Sequence, residues 1–184
     1  MLFQCGVCYL KHMTSPTCCS CFKPKANLVC GICQDTICKK CTQFIEENSF
    51  SFLKKIPAEL QHSAFCETCY IQKVLPEQQK YNEMMEQAKN TLVFMKAQFK
   101  ETRFVKRIED SVYIAECADY DEIILRLAFK AVEMNLNGIV DVDITAKKVR
   151  TGNYQTSIFS GSAIPANILE ERLIKDRSNW SHPN

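Results

Sequence analysis

Four Cys-x-x-Cys pairs crowd into one short stretch of this chain: Cys18/Cys21, Cys30/Cys33, Cys38/Cys41 and Cys66/Cys69. Two intervening residues let both sulfurs of a pair reach one ion, while the turning backbone aims its N–H groups at the thiolates. Zn²⁺ takes four soft ligands tetrahedrally, so eight such cysteines read as two closed structural sites, two zinc ions per chain. A closed four-thiolate site leaves no position for water or substrate, which argues against zinc catalysis. Disulfides are the competing use of 12 cysteines. The opening Met1-Leu2-Phe3-Gln4-Cys5-Gly6 has neither a basic nor an apolar leader segment, so export is not expected. No run approaches the roughly 18 apolar residues of a membrane span. A cytoplasmic chain keeps its thiols reduced, and paired cysteines there serve metals.

The spacing between pairs carries topology. Eight residues separate the first pair from the second, four the second from the third, and 24 the third from the fourth. Four residues are too few for the second and third pairs to fold back comfortably onto one ion. Interleaving relieves this: Cys18, Cys21, Cys38 and Cys41 bind one zinc, and Cys30, Cys33, Cys66 and Cys69 the other. A unit this small buries too little apolar area to fold alone, so the metal supplies much of the folding free energy.

Eleven of the cysteines lie before residue 70, a shift that marks two units. The expected division is a zinc finger over 1–75, a linking helix over 76–105, a second domain over 106–168 and a tail over 169–184. Residues 1–75 hold eight Lys/Arg against five Asp/Glu, and residues 76–184 hold 15 against 16. Eight thiolates with two Zn²⁺ add four negative charges to the finger, cancelling its slight basicity. Lys23-Pro24-Lys25 and Lys39-Lys40 are too short to make a basic footprint, so no nucleic-acid partner is expected.

Cys30-Gly31-Ile32-Cys33, Gln34 to Ile37, Cys38-Lys39-Lys40-Cys41 and the closing Phe65-Cys66-Glu67-Thr68-Cys69 together resemble the FYVE-type and Rab-effector zinc fingers over about residues 16–72. The resemblance implies a treble-clef, cross-braced finger that recognises a membrane lipid or a protein. Lipid-binding members carry a basic, His-containing cluster just before the third cysteine. Here that stretch is Lys25-Ala26-Asn27-Leu28-Val29, with one cation and no His. Phosphoinositide headgroups need several convergent donors and cations, so a protein partner is expected instead.

Cys5, Cys8 and Cys19 are left over, with His12 nearby. Cys5/Cys8 could replace Cys18/Cys21 as the first knuckle, form a third zinc site with His12 and Cys19, or remain reduced bystanders. Cys117 stands alone and reads as a small buried hydrophobe.

Pro76 suits a first helical position, and Glu77 to Thr102 contains neither Gly nor Pro. Tyr81, Met85, Ala88, Leu92, Met95 and Phe99 recur at heptad spacing, as a packing stripe or a short coiled-coil seam. Beyond it the pattern reads β-α-β-β. Ser111 to Ala115 alternates as a strand, and Asp119 with Glu122 makes a capping box. The following helix carries Ile124, Leu127, Ala128, Ala131 and Val132 on one face and stops at Asn137-Gly138. Val140, Val142 and Ile144 alternate with Asp141, Asp143 and Thr145 as a half-buried strand. A turn at Arg150-Thr151-Gly152-Asn153 leads to a partner strand, Tyr154 to Ile164, ended by Pro165. Ser160-Gly161-Ser162-Ala163 within it invites close approach of another backbone. The fold class is therefore α+β.

Asn137 to Ile144, with the hairpin ending Phe159-Ser160-Gly161-Ser162-Ala163-Ile164, resembles the YbjQ-like heavy-metal-binding domains over about residues 110–166. That resemblance implies a bacterial source and a symmetric homo-oligomer. Asp141 and Asp143 on one strand face read as solvated acids, not a metal pair. Leu169 to Arg177 forms a short amphipathic helix in the tail. His12, His62 and His182 lack catalytic partners, and neither a phosphate loop nor a nucleophile elbow is present, so no enzyme is expected. The sequence points to a non-catalytic zinc-stabilised adaptor. The alternatives are a thiolate-based metal-handling or redox-sensing protein and an enzyme working at an oligomer interface.

Overall fold

The computed structural model describes residues 16–46, 48–107, 109–152, 154–169 and 171–173. The chain divides into two compact units, Met1–Gln78 and Gln79–Asn184. Helix and strand are mixed in it, and among the described residues no helix is long and apolar enough to cross a membrane.

The first unit is built of very short strands. Thr17 bridges Pro24, and β1 (Leu28–Val29) pairs antiparallel with β2 (Thr36–Ile37). Then β3 (Thr42–Phe44) pairs with β4 (Ala64–Cys66), setting Thr42 opposite Cys66. Among the described residues its buried apolar side chains besides the cysteines are Ala26, Ile37, Ile45, Phe50, Leu60, Phe65 and Val74.

Helical backbone starts directly after β4, at α1 (Glu67–Cys69), passes through a π-helical turn at Tyr70–Val74 and continues as α2 (Leu75–Lys89). Pro76 thus lies inside a continuous helical run and does not open it. Proline lacks the N–H that would bond four residues back, and the wider turn just before it accommodates the ring. The expected linking helix over 76–105 is not formed either. Side chains terminate α2, with Asn90 Nδ2 donating to the Glu86 carbonyl and Thr91 Oγ1 to that of Gln87. Leu92–Met95 becomes a strand, β5, lying parallel to the strand that starts at Gly138. Four apolar residues at a helix end gain more by completing a sheet than by prolonging a helix. The heptad stripe is accordingly split: Tyr81 and Ala88 are buried on α2, Tyr81 against Phe129 at 5.6 Å, while Leu92 packs on the sheet core.

The second unit is a four-stranded sheet in the order β5-β7-β8-β6, so the expected β-α-β-β pattern gains a strand. Here β6 is Val112–Cys117, β7 Gly138–Thr151 and β8 Tyr154–Ala166, with α3 (Tyr120–Glu133) between β6 and β7. Asp119 is the N-cap of α3 but makes no side-chain capping bond, and Glu122 pairs with Arg126 one turn on. The buried face of α3 is Ile123, Leu127, Ala128, Phe129, Ala131 and Val132; Ile124 turns partly outward. The helix ends before Asn137-Gly138. Asn135 takes φ 58°, its N–H bonds the Val132 carbonyl, and the Leu136 N–H bonds that of Ala131. That is a Schellman closure with asparagine in the left-handed position. Asn137 instead clamps Ile168, accepting its N–H at 2.7 Å and donating to its carbonyl at 2.9 Å.

Small residues in β8 serve helix packing within the chain. A Cβ on Gly161 would lie 2.7 Å from Ile123 Cγ2 on α3. Both edges of β8 are occupied, by β7 and β6, so it offers no exposed edge where Ser160 to Ala163 lie. Pro165 does not end the pairing but sits opposite Ile139. Since β6 begins opposite Ala163, β8 has a single neighbour at Pro165, and a missing N–H is tolerated there.

Candidate metal centres

Each knuckle is shaped by its own backbone. In the first, the Cys18 N–H bonds the Lys23 carbonyl at 3.0 Å and the Phe22 N–H bonds the Cys18 carbonyl at 2.9 Å. The second repeats this two-bond pattern, from Cys30 to Asp35 at 2.9 Å and from Gln34 to Cys30 at 3.0 Å. Phe22 and Gln34, each just after the second cysteine, take the left-handed conformation at φ 57° and 64°. A residue in that conformation reverses the chain sharply enough to bring both sulfurs to one side. The third knuckle closes with the Cys41 N–H and the Thr42 hydroxyl both donating to the Cys38 carbonyl. The fourth straddles a helix start, Cys66 ending β4 and Cys69 closing α1.

Backbone contacts then decide which knuckles meet. The Cys19 N–H bonds the Thr36 carbonyl at 2.9 Å, and the Thr36 hydroxyl bonds the Thr17 carbonyl at 2.7 Å. These bonds hold the first knuckle against β2, two residues before Cys38. The Gly31 N–H bonds the Ala64 carbonyl at 2.9 Å, holding the second knuckle against β4, two residues before Cys66. Only glycine fits there, because a Cβ would lie 2.3 Å from the His62 side chain.

The result is two sulfur tetrads: Cys18, Cys21, Cys38 and Cys41, and Cys30, Cys33, Cys66 and Cys69, each with all its sulfurs within 4.8 Å of one another. Cys21 Sγ lies 3.8 Å from Cys38 Sγ, and Cys33 Sγ lies 3.9 Å from Cys66 Sγ. A tetrahedron with Zn–S bonds of about 2.3 Å has edges of about 3.8 Å. A disulfide would hold its sulfurs about 2.05 Å apart. All ten described cysteines are free thiols, so the disulfide alternative fails for these residues.

Neighbouring N–H groups and sulfurs set the thiols of each tetrad against one another. N–H groups of Cys21 and Cys38 pointing at Cys18 hold its thiol down to about 6. Burial pushes Cys30 up, but the N–H groups of Cys66, Cys33 and Ile32 outweigh it and bring this thiol also to about 6. Hydrogen bonds with Cys38 and Cys21 push Cys41 up to about 12. Burial, followed by contact with Cys66, pushes Cys69 up to about 11. Burial likewise drives Cys33 well above the ordinary thiol range. Four touching sulfurs cannot all ionise side by side unless a cation sits among them, and a dication satisfies this requirement. Both tetrads could hold a metal ion.

The remaining expected site residues divide cleanly. Cys18 and Cys21 supply the first knuckle themselves. Cys19 stands outside both tetrads, its thiol pushed up by burial. Cys5, Cys8 and His12 lie outside the described residues. Asp143 is an exposed acid, as expected, whereas Asp141 is only 20% exposed and held in an ion pair. A bulge between Val140 and Asp143 breaks the alternation, with Asp141 at φ 53°. Arg107 grips Asp141 through Nε and Nη2, while Lys96 pairs with Asp143 at 2.9 Å. Cys117 is buried as expected. Gly31 and Thr36, which align the knuckles, carried no recognisable sequence signal, although Gly31 is the only glycine inside any of the four pairs.

Among the described residues these tetrads are the only groups of three or more His, Cys, Asp or Glu side chains close enough to share an ion. No family model, curated protein or solved structure matches the chain.

Proposed function

We propose that this chain is a non-catalytic, cytoplasmic adaptor whose first unit is a two-zinc, FYVE-like cross-braced finger. The observation that carries the reading is the pair of four-sulfur tetrads with tetrahedral edges. Thiolates favour zinc over hard cations, and four protein ligands leave the ion no open position for chemistry. The metals then build a surface. Phe22 is 78% exposed and Phe44 56%, with Val29 and Ile71 also exposed, and apolar side chains left in water on a small unit fit protein recognition. Lys25 alone stands where lipid-binding fingers gather several cations. The second unit, with its YbjQ-like hairpin, carries or assembles the finger.

A second reading, thiolate-based metal handling or redox sensing, is favoured by Cys33, an exposed member of its tetrad. Oxidant access to one ligand is what a zinc-releasing sensor requires. Native mass spectrometry of the purified chain tests both. The adaptor reading expects two zinc ions per chain that survive mild peroxide. Stoichiometric release on peroxide treatment, reversed by a thiol reductant, would establish the sensor instead.

A further inference from the structure

The hairpin formed by β7 and β8 outreaches both neighbouring strands. Pairing of β5 with β7 ends at Val142, and pairing of β6 with β8 ends at Phe159. From Lys147 opposite Ile158 to Thr151 opposite Tyr154, the two strands pair only with each other among the described residues. Among the described residues no strand pairs with the outer edge of β7 from Ile144 to Thr151, a length of about 27 Å at 3.4 Å per residue. Lys147, Lys148 and Arg150 are exposed along it, and Tyr154 at its end is 80% exposed. No acidic residue occurs between Asp143 and Glu170. The two acids at the base of the arm are already paired, Asp141 to Arg107 and Asp143 to Lys96.

We propose that the β7 edge from Ile144 to Thr151 is a docking site for an extended acidic peptide, which adds to the hairpin as a further antiparallel or parallel strand. An edge strand presents unpaired N–H and C=O groups along its length, and a peptide in β conformation satisfies them residue for residue. Lys148 and Arg150 share one face of the ribbon, so they meet acidic side chains placed at alternate positions of the added strand. The same cations disfavour a second copy of this edge, which would set Lys and Arg against Lys and Arg. Three cations are also few for a duplex, whose binding proteins commonly neutralise about 6–10 phosphates. The proposal does not rest on metal in the finger.

The full-length chain is titrated against a fluorescein-labelled eight-residue peptide alternating Glu and Thr, followed by fluorescence anisotropy. Saturable binding is expected, weakened about tenfold by Lys148→Glu with Arg150→Glu, and by the milder pair Lys148→Ala with Arg150→Ala to a lesser degree. Lys39→Glu with Lys40→Glu on the finger leaves it unchanged. A peptide with Pro in place of one Glu and of the Thr after it, which removes an N–H from whichever alternate set faces the edge, binds much more weakly. Equal binding of the Pro peptide, or affinity untouched by the Lys148/Arg150 variants, overturns the proposal. So does tighter binding of a 12-base-pair duplex than of the Glu peptide, or a dimer by sedimentation that the same variants dissolve.

Discussion

Replacing Cys38 by serine removes one ligand from one tetrad, yet both metals are expected to leave. The reason is the interleaving. Cys30 and Cys38 lie at opposite ends of the β1–β2 hairpin, which has only two residue pairs, Leu28 with Ile37 and Val29 with Thr36. The first knuckle is bonded to Thr36 and the second to Ala64, so neither tetrad can loosen without moving a strand that positions the other. Zinc binding gives small finger peptides about 10–16 kcal/mol, against a total of about 5–15 kcal/mol for the stability of an ordinary domain. With seven buried apolar side chains besides the cysteines among its described residues, the first unit has little reserve to absorb the loss of one site. Native mass spectrometry is expected to show the metal count falling from two to zero, with no populated one-metal species. Far-UV circular dichroism of the same variant keeps the signal of the second unit, whose sheet and α3 lie wholly beyond Gln78. A stable one-zinc protein would refute the cooperative cross-brace, and loss of all secondary structure would refute the independence of the units.

Four further outcomes are expected. Arg107→Met strands the Asp141 carboxylate; breaking a buried ion pair costs about 3–5 kcal/mol, and with the two groups 21% and 20% exposed the cost here is about 2 kcal/mol, read by thermal melting of the zinc-chelated chain. Arg107 also holds the Asp141 carboxyl below its ordinary value, so this contribution is complete above the unfolded value of about 3.9 and is lost as pH falls through the folded one. Asp141→Asn should flatten that part of the acid limb, and an unchanged limb would show the pair to be idle. Gly161→Ala forces a methyl to within 2.7 Å of Ile123 and 3.1 Å of Ile144, an overpacking that costs about 1–3 kcal/mol; a melting point equal to wild type would place α3 elsewhere. Liposome flotation should find no selective retention by phosphatidylinositol 3-phosphate, and saturable selective binding would restore a lipid-reading finger.

Much of the metal chemistry was readable from residue order alone, because ligand type and spacing are local. A four-residue gap between Cys33 and Cys38 disfavours those pairs sharing an ion, and the tetrads of the structure are interleaved. The hairpin of β7 and β8 was equally legible, since period-two alternation and a glycine turn are properties of neighbouring residues. What neighbouring residues could not show was the fate of Leu92 to Met95. Their heptad spacing continued that of α2, but Gly138 to Val142, more than forty residues away, offered them a parallel strand, and burial in a sheet outweighed helix propensity. Asp143 is exposed as its alternation implied, but Asp141 looked solvated only because its cation, Arg107, is distant in sequence. Ser160 to Ala163 suggested the close approach of another backbone, but in the folded chain it is the Ile123 side chain of α3 that comes against Gly161. Sequence determines what a segment can do by itself; tertiary structure chooses among those options, because the free energy of burying a side chain belongs to the partner as much as to the residue.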